Sequence, residues 1–543
     1  MKALPIGYDD FREIMEKDLY YVDKTDIIET LLECKNKVSL FPRPRRFGKS
    51  LFLSMIDNFF NIEYKEINKD LFNGLKISNS KYYDYLSSIP VIKLDFRFLK
   101  QDDFDMAFNN FKELIREIYS NKKYLIDYLS DEKKEIFNRF LTKSAYTEEY
   151  QKAIYILSEM LYNYYGKKVI ILIDEYDVPI QSGYLKDYYD KIVSFIKDVF
   201  SSSLKGNHYL EFAIMTGVLR VSKESLFSDL NNVEVYGIVD KNYNEVFGFT
   251  ENETKELLKY YNLELNDDVK NMYDGYNFNG TEIFNPWSVL NYAKYKELND
   301  YWVNTSGNEL IFEMISKTSD NVKIVIERLL SGESALFEYN DKVTYLDYNN
   351  NSLNNILNLL FISGYLTLDN DDSNIFDIKK VRLPNNEVKW FFSKLIRSEM
   401  LDNRDITLEM IQNFTEGTLK NNKELMESSL NKILPGMSFM DSTESFYHGF
   451  VFGLFSLFLS SNYVVKSNRE SGEGRFDLMI MKKDSSIGII IEFKITKGDE
   501  EECALKALSQ IEDKEYYNVL KENGIQNILK YAIIFKGKHS IVR

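Results

Sequence analysis

The apolar positions of this chain fall into runs of two kinds. VSLF (38–41), PVIKLDF (90–96), the continuous run from Val169 to Ile173 and YLEFAIMTG (209–217) are short, with the length and density of buried strands. SLFLSMIDNFF (50–60) and NETKELLKYYNL (252–263) instead space their apolar residues for helices, the second with a candidate cap at Asn252. Residues 240 to 335 are mainly helical by pattern. Further on, FDLMIM (476–481) and IGIIIEFKI (487–495) read as two strands of a hairpin joined by KKDSS, and ALSQIEDKEYY (507–517) reads as a helix. The longest apolar run, FYHGFVFGLFSLFL (446–459), falls short of the roughly 20 residues that span a bilayer, so it is expected to be a buried core helix.

Composition adds scale and compartment. At 543 residues the chain is expected to hold three or four cores. With 44% hydrophobic residues, 15% aromatic and only eight prolines, it is expected to be folded throughout. Two distant cysteines, Cys34 and Cys503, suggest neither a disulfide framework nor a zinc site. The opening MKALPIGYDDFREIMEKD lacks the basic and apolar blocks of a secretion signal, so a cytoplasmic protein with no membrane partner is expected. The net charge of −16 disfavours a sequence-independent grip on phosphate backbones. That acidity belongs to the first 440 residues, because residues 441–543 carry 14 Lys/Arg against 15 Asp/Glu.

Candidate chemistry begins at RPRRFGKS (43–50). The P-loop, or Walker A, pattern G-x-x-x-x-G-K-[ST] asks for glycine where this chain has Arg43, but the strand, loop and helix order around it is the confirming context. The candidate nucleotide-binding stretch is Arg45, Arg46, Phe47, Gly48, Lys49, Ser50 and Leu51. Its amides and helix N-terminus would face the phosphates of ATP, Lys49 would reach the β and γ oxygens, and Ser50 would hold Mg²⁺. A Walker B counterpart is the strand ending in Asp174 and Glu175, the first expected to hold Mg²⁺ through its water shell and the second to polarise the attacking water. Thr216, ending the 209–217 strand between the two motif strands, is the candidate sensor, with Arg220 after it. Arg45 and Arg46 either add positive charge at the phosphates or project away to pin a lid or a neighbouring subunit; the latter would make the protein a homo-oligomer. YDGYNFNG (273–280) either sits against the nucleotide or braces the lid.

YYVDKT (20–25), RPRRFGKS, LIDEYD (172–177), TGVLRVSKESLFSDLNN (216–232) and YDGYNF with FNPWSVLNY resemble the AAA-ATPase-like family of bacterial and archaeal proteins with a C-terminal nuclease-like domain. The resemblance runs from about residue 4 to residue 290. It implies that arginine and proline early in the loop are the ordinary form, so that Arg43 is a variant and not a lesion.

In the C-terminal hairpin, Glu492 and Lys494 lie two apart and so share a face, while Asp477 stands near the start of the partner strand. Two carboxylates and a lysine suit Mg²⁺-assisted phosphodiester hydrolysis, with Asp477 and Glu492 as metal ligands and Lys494 orienting the water or stabilising charge. Gln510, Lys514 and Tyr517 fall near one face of the following helix. The D…E-x-K pattern, without the leading proline, resembles the PD-(D/E)xK nuclease superfamily. Glu444 at the start of the preceding apolar helix, and Q-I-x-x-K-x-Y after the hairpin, extend that resemblance to the whole domain. His448 is read as a core or helix-face residue.

The expected fold is multidomain α/β. Residues 1–238 form a P-loop AAA-like ATPase core with a parallel sheet and helices on both faces. A helical lid (239–335), a winged-helix-like region (336–430) and an α/β restriction-endonuclease-like domain (431–543) follow. The winged-helix-like region, a helix ending at Gly364 before a strand pair, suits either DNA binding or internal packing. Two functions are open: an ATP-hydrolysing switch coupled to a Mg²⁺-dependent nuclease on DNA or RNA, or a nucleotide-gated binding protein whose nuclease-like domain is silent.

Overall fold

A computed structural model describes residues 1–219, 231–302, 320–330, 332–340, 352–369, 377–402, 407–436, 463–471, 474–482 and 486–543, with isolated positions between them. Arg220, Glu444 and His448 lie outside the described residues, as does most of the 446–459 run. Among the described residues no helix is long and apolar enough to cross a membrane. The chain divides into two compact units. One comprises Met1–Leu298 with Phe337–Lys379, the other Asn299–Leu336 with Lys380–Arg543.

The first unit is organised by five parallel strands: β1 (Val38–Pro42), β2 (Val91–Asp95), β3 (Val169–Asp174), β4 (Leu210–Gly217) and β5 (Val233–Val235). Their order is β2-β3-β4-β1-β5. Every residue of β1 and β3 is buried, which is why both read as unbroken apolar runs with no alternation. β4 lies between β1 and β3, so all three C-terminal ends meet at one edge of the sheet. The helix Lys49–Phe60 leaves that edge directly after β1.

A smaller sheet, β6 (Phe249–Thr250), β8 (Thr281–Phe284) and β7 (Tyr276–Phe278), stands beyond the parallel one, with helices Glu251–Tyr260, Asp267–Tyr273 and Pro286–Tyr295 around it. The expected cap at Asn252 is two residues late. Thr250 caps the helix, its hydroxyl taking the Glu253 N–H while Glu253 reaches back to the Thr250 N–H, a T-x-x-E capping box. YDGYNFNG is more than a turn: β7 and β8 form a hairpin closed by Asn279 and Gly280, both at positive φ (47° and 91°), as a two-residue type I′ turn requires. Strand β9 (Ala335–Glu338) follows. The helix Leu353–Ile362, then β10 (Thr367–Leu368) and β11 (Ile378–Arg382), keep the expected order of helix and strand pair.

In the second unit five strands form a mixed sheet in chain order: β12 (Tyr463–Ser471), β13 (Gly474–Lys482), β14 (Gly488–Ile495), β15 (Ile528–Lys536) and β16 (His539–Val542). β13 and β14 are antiparallel, as the hairpin pattern predicts. β14 and β15 are parallel, linked through the helix Glu500–Asp513. That helix stops earlier than its pattern suggests. Lys514 is its C-cap and Glu515 turns left-handed (φ 48°), which ends the helical spacing before Tyr516 and Tyr517. Helices Leu408–Leu419 and Lys423–Ile433 back the sheet, with Tyr531 donating to the Thr418 carbonyl and Asn431 pairing with Ser540.

Candidate functional sites

The loop after β1 is held by its first residue. Arg43 is fully buried, where its guanidinium donates to the carbonyls of Pro42, Tyr236 and Tyr243 and lies over the rings of Phe247 and Phe278. Burial pushes its pKa down to about 10. The side chain therefore points away from the phosphate side and into the protein. The rest of the loop is anchored in the same manner. Pro44 abuts Gly364, where an added Cβ would stand 2.8 Å from the Pro44 Cβ. The Phe47 ring meets Tyr276 and Phe278 of the β7–β8 hairpin at 5.1 and 5.6 Å, and its carbonyl accepts from Gly248. Arg46 adopts a left-handed conformation (φ 66°) and sets its guanidinium 4.4 Å from the Trp287 ring centroid. Arg45 donates to Gln181. Arg46 thus lies against Trp287, and the β7–β8 hairpin packs on the Phe47 ring. The contact of Gly364 with Pro44 favours internal packing for that end of the winged-helix-like region.

Gly48, at φ 88°, caps the helix Lys49–Phe60 without a side-chain cap bond, leaving the first-turn amides to whatever the loop encloses. Lys49 is 5% exposed, and its ammonium donates to the carbonyls of Arg43 and Pro44 at 3.0 and 2.9 Å. Burial lowers its pKa, opposed by Glu175, Asp174 and Asp177. Ser50 and Leu51 occupy the first helical turn.

Across the sheet edge, Asp174 is buried, and its Oδ1 accepts from the Thr216 hydroxyl and from the Glu175 N–H. Glu175 leaves β3 in a left-handed conformation (φ 49°), an outlier of the kind that persists where surrounding structure enforces it. Burial raises its pKa, with Lys49 opposing. Lys49, Asp174, Glu175 and Thr216 are thus brought to one edge of the parallel sheet. Amides at a helix N-terminus, a lysine behind them and carboxylates on the adjoining strand are chemistry suited to a phosphate chain.

The centre in the second unit is built on β14. Glu492 is 1% exposed, and its Oε1 accepts from Lys494 at 2.9 Å and from Gln510 at 2.6 Å. Gln510 also donates to the Tyr516 hydroxyl at 3.0 Å. Asp477 Oδ2 accepts the main-chain N–H of Phe493, the residue after Glu492, at 2.8 Å. The early helix end changes the third partner: Tyr516, buried beneath the helix, takes the place the spacing gave to Tyr517. Tyr517 instead lies under the ammonium groups of Lys521 and Lys530. Among the described residues no three of His, Cys, Asp and Glu gather as a metal cage.

Two family models match these two regions. Residues 5–227 match the one described as Predicted AAA-ATPase, and residues 442–543 match the PD-(D/E)XK nuclease superfamily. The chain joins an AAA-ATPase-like domain to a PD-(D/E)XK nuclease-superfamily domain. The chain is also similar to an uncharacterized protein in the vnfD 5′ region of Azotobacter chroococcum mcd 1. The two are 25% identical over 534 residues, covering 96% of this chain and 94% of that one.

Sequence reasoning left three participants without a role. Asp177 was visible only as the last letter of LIDEYD. Trp287 follows an Asn285–Pro286 helix start, a signal for the helix but not for a stacking partner of Arg46. Arg43 was visible only as a departure from glycine.

Arg43→Gly, which supplies the glycine of the ordinary motif, is expected to destabilise the AAA-ATPase-like domain by about 2–3 kcal/mol, because the carbonyls of Tyr236 and Tyr243 lose their donor. Urea unfolding followed by tryptophan fluorescence measures it, and an unchanged midpoint would show that the buried guanidinium contributes nothing.

Proposed function

We propose that the protein binds and hydrolyses ATP at the β1–β3–β4 edge and that this nucleotide cycle governs a Mg²⁺-dependent nuclease centre acting on DNA or RNA. The observation that carries the reading is the joining of Thr216 to Asp174 opposite the buried Lys49, with Glu175 held at the same edge.

In this reading Lys49 exchanges its loop carbonyls for phosphate oxygens, and the amides from Gly48 to Leu51 supply the remaining donors. Arg45 adds positive charge at the loop's rim, while Arg46 and Phe47 hold the loop's shape through Trp287 and the hairpin. Glu175, kept close by its left-handed turn and raised in pKa by burial, orients and deprotonates water. Thr216 reports the state of Asp174 to β4, and Arg220 is a further candidate contact. The Ser50 hydroxyl and Asp174 carboxylate are hard oxygen donors that fit Mg²⁺, which would neutralise charge on the phosphates.

At the second centre Asp477 and Glu492 are likewise the candidate Mg²⁺ ligands. The ion would activate water for attack on phosphorus. Lys494 neutralises developing charge, and Gln510, tied to Tyr516, fixes the Glu492 carboxylate. Glu444 is carried as an additional acidic residue through the superfamily resemblance.

Glu175→Gln is expected to retain ATP binding while lowering turnover at least a hundredfold, in the range for loss of a general base. A phosphate-release assay beside a fluorescent-nucleotide titration reads both, and turnover at the wild-type rate would remove Glu175 from that role. For the second centre, Asp477→Ala and Lys494→Ala should each abolish cleavage of single- or double-stranded DNA or RNA in Mg²⁺. Cleavage should depend on ATP in the wild type and disappear with EDTA. Wild-type protein that binds ATP yet cuts none of these substrates would instead support the nucleotide-gated binding protein.

A further inference from the structure

Asp177, the last residue of LIDEYD, takes no part in the reading above, yet it is only 2% exposed. Its Oδ2 accepts the main-chain N–H groups of Val218 at 3.0 Å and Leu219 at 2.8 Å, the two residues directly beyond β4. Its Oδ1 is buried with no hydrogen-bond partner among the described residues. Tyr176 works on the same segment. Its N–H donates to the Thr216 carbonyl at 3.1 Å, and its hydroxyl donates to the Leu219 carbonyl at 2.6 Å. Leu219 is therefore held at both its N–H and its C=O by consecutive residues of the β3 exit.

Gly217 leaves space for this arrangement. A Cβ there would stand 2.6 Å from Asp177 Oδ1 and 2.7 Å from the Tyr176 ring. The Gly217 carbonyl in turn accepts the Arg43 N–H at 3.0 Å, so the same short segment touches the loop on its other side. A carboxylate buried against two amides, with its second oxygen left without a hydrogen bond among the described residues, is an expensive way to end a strand. Among the described residues, its side-chain bonds fix the position of Val218 and Leu219 relative to the end of β3.

We propose that Asp177 is a positioning residue for the nucleotide site: by gripping Val218 and Leu219 it sets the end of β4 against the end of β3, so that the Thr216 hydroxyl stays on Asp174 beside Glu175. This rests on the reading of that edge as an ATP-hydrolysing site. Asp177 touches neither nucleotide nor water in this scheme. Its removal loosens the geometry of the acidic end while leaving the Lys49 loop, which carries affinity, in place.

Asp177→Ala is expected to lower kcat for ATP by about ten- to a hundredfold, the range for a misplacement of about 1 Å at a reacting centre, with the Kd for ATPγS changed less than about threefold. Asp177→Asn, which keeps an oxygen for the two amides, should recover most of kcat. Gly217→Ala leaves the carboxylate in place but crowds it, and it should show the same split should Asp177→Ala fail to fold. Hydrogen–deuterium exchange over β4 reads the clamp without turnover: the Val218 and Leu219 amides should exchange about tenfold faster or more in Asp177→Ala and at the wild-type rate in Glu175→Gln. An unchanged kcat in Asp177→Ala, or a loss confined to KM and Kd, overturns the positioning role. If wild type itself hydrolyses no ATP, the hydrolase reading fails separately, and unchanged exchange in Asp177→Ala then overturns the clamp.

Discussion

One buried charge sets the shape of the loop on which the nucleotide site depends. A guanidinium removed from water costs several kcal/mol unless its donors are met, and the terminal nitrogens of Arg43 donate to main-chain carbonyls from β1 and from the 236–243 segment rather than to a carboxylate, while its Nε has no hydrogen bond among the described residues. Carbonyls are fixed in direction by the backbone that carries them, so satisfying Arg43 also fixes where those segments run. The rings of Phe247 and Phe278 then lie against its faces, and the hairpin that bears Phe278 also carries the packing surface for Phe47. In an ordinary P-loop the first glycine gives freedom to the backbone; here a side chain supplies constraint, and the loop's conformation is shared with the segment beyond the core. Within the loop, glycine is kept only at position 48, where the positive φ favours it.

From that anchor the site extends through β4. The strand sits between β1 and β3, receives the Arg43 N–H at Gly217, and gives the Thr216 hydroxyl to Asp174. Any shift of the loop is therefore felt at the acidic end of β3 through one residue of backbone. Lys49 links the same points electrostatically, since its neighbours in charge are Glu175, Asp174 and Asp177. With its ammonium on the carbonyls of Arg43 and Pro44, the loop is folded around its own cation.

Much of this was legible because burial leaves a mark on sequence. β1 and β3 are covered on both faces, so their apolar runs carry no alternation; β14 ends in polar residues two apart, so Glu492 and Lys494 could be assigned to one face. Other features left no such mark. An arginine in a loop beside a phosphate motif reads as a phosphate ligand, and nothing in its neighbours reveals that the carbonyls of residues nearly 200 positions away await it. The β7–β8 hairpin was readable in principle from Asn279–Gly280 between apolar residues, but its abundance of turn formers hid the two strands. The helix after β14 ends without glycine or proline, through a left-handed Glu515, and so its periodicity seemed to continue to Tyr517 when Tyr516 is the residue that reaches Gln510.

The two sheets solve a common problem in the same way. A strand pair that is to present carboxylates to a phosphate must stop making ladder bonds, and the amides so released have to be met by something else. Between β3 and β4 the register runs to Ile173 opposite Met215; past it the side chains of Asp174 and Asp177 take over, one holding Thr216 and the other the amides of Val218 and Leu219. Between β13 and β14 the register runs to Leu478 opposite Ile491; past it Asp477 takes the N–H of Phe493. In each case an acid that takes up these bonds belongs to the proposed site or stands within a few residues of it. The end of the paired register and the placement of the carboxylates are consequently one structural event, and a substitution that removes the bridging acid disturbs both.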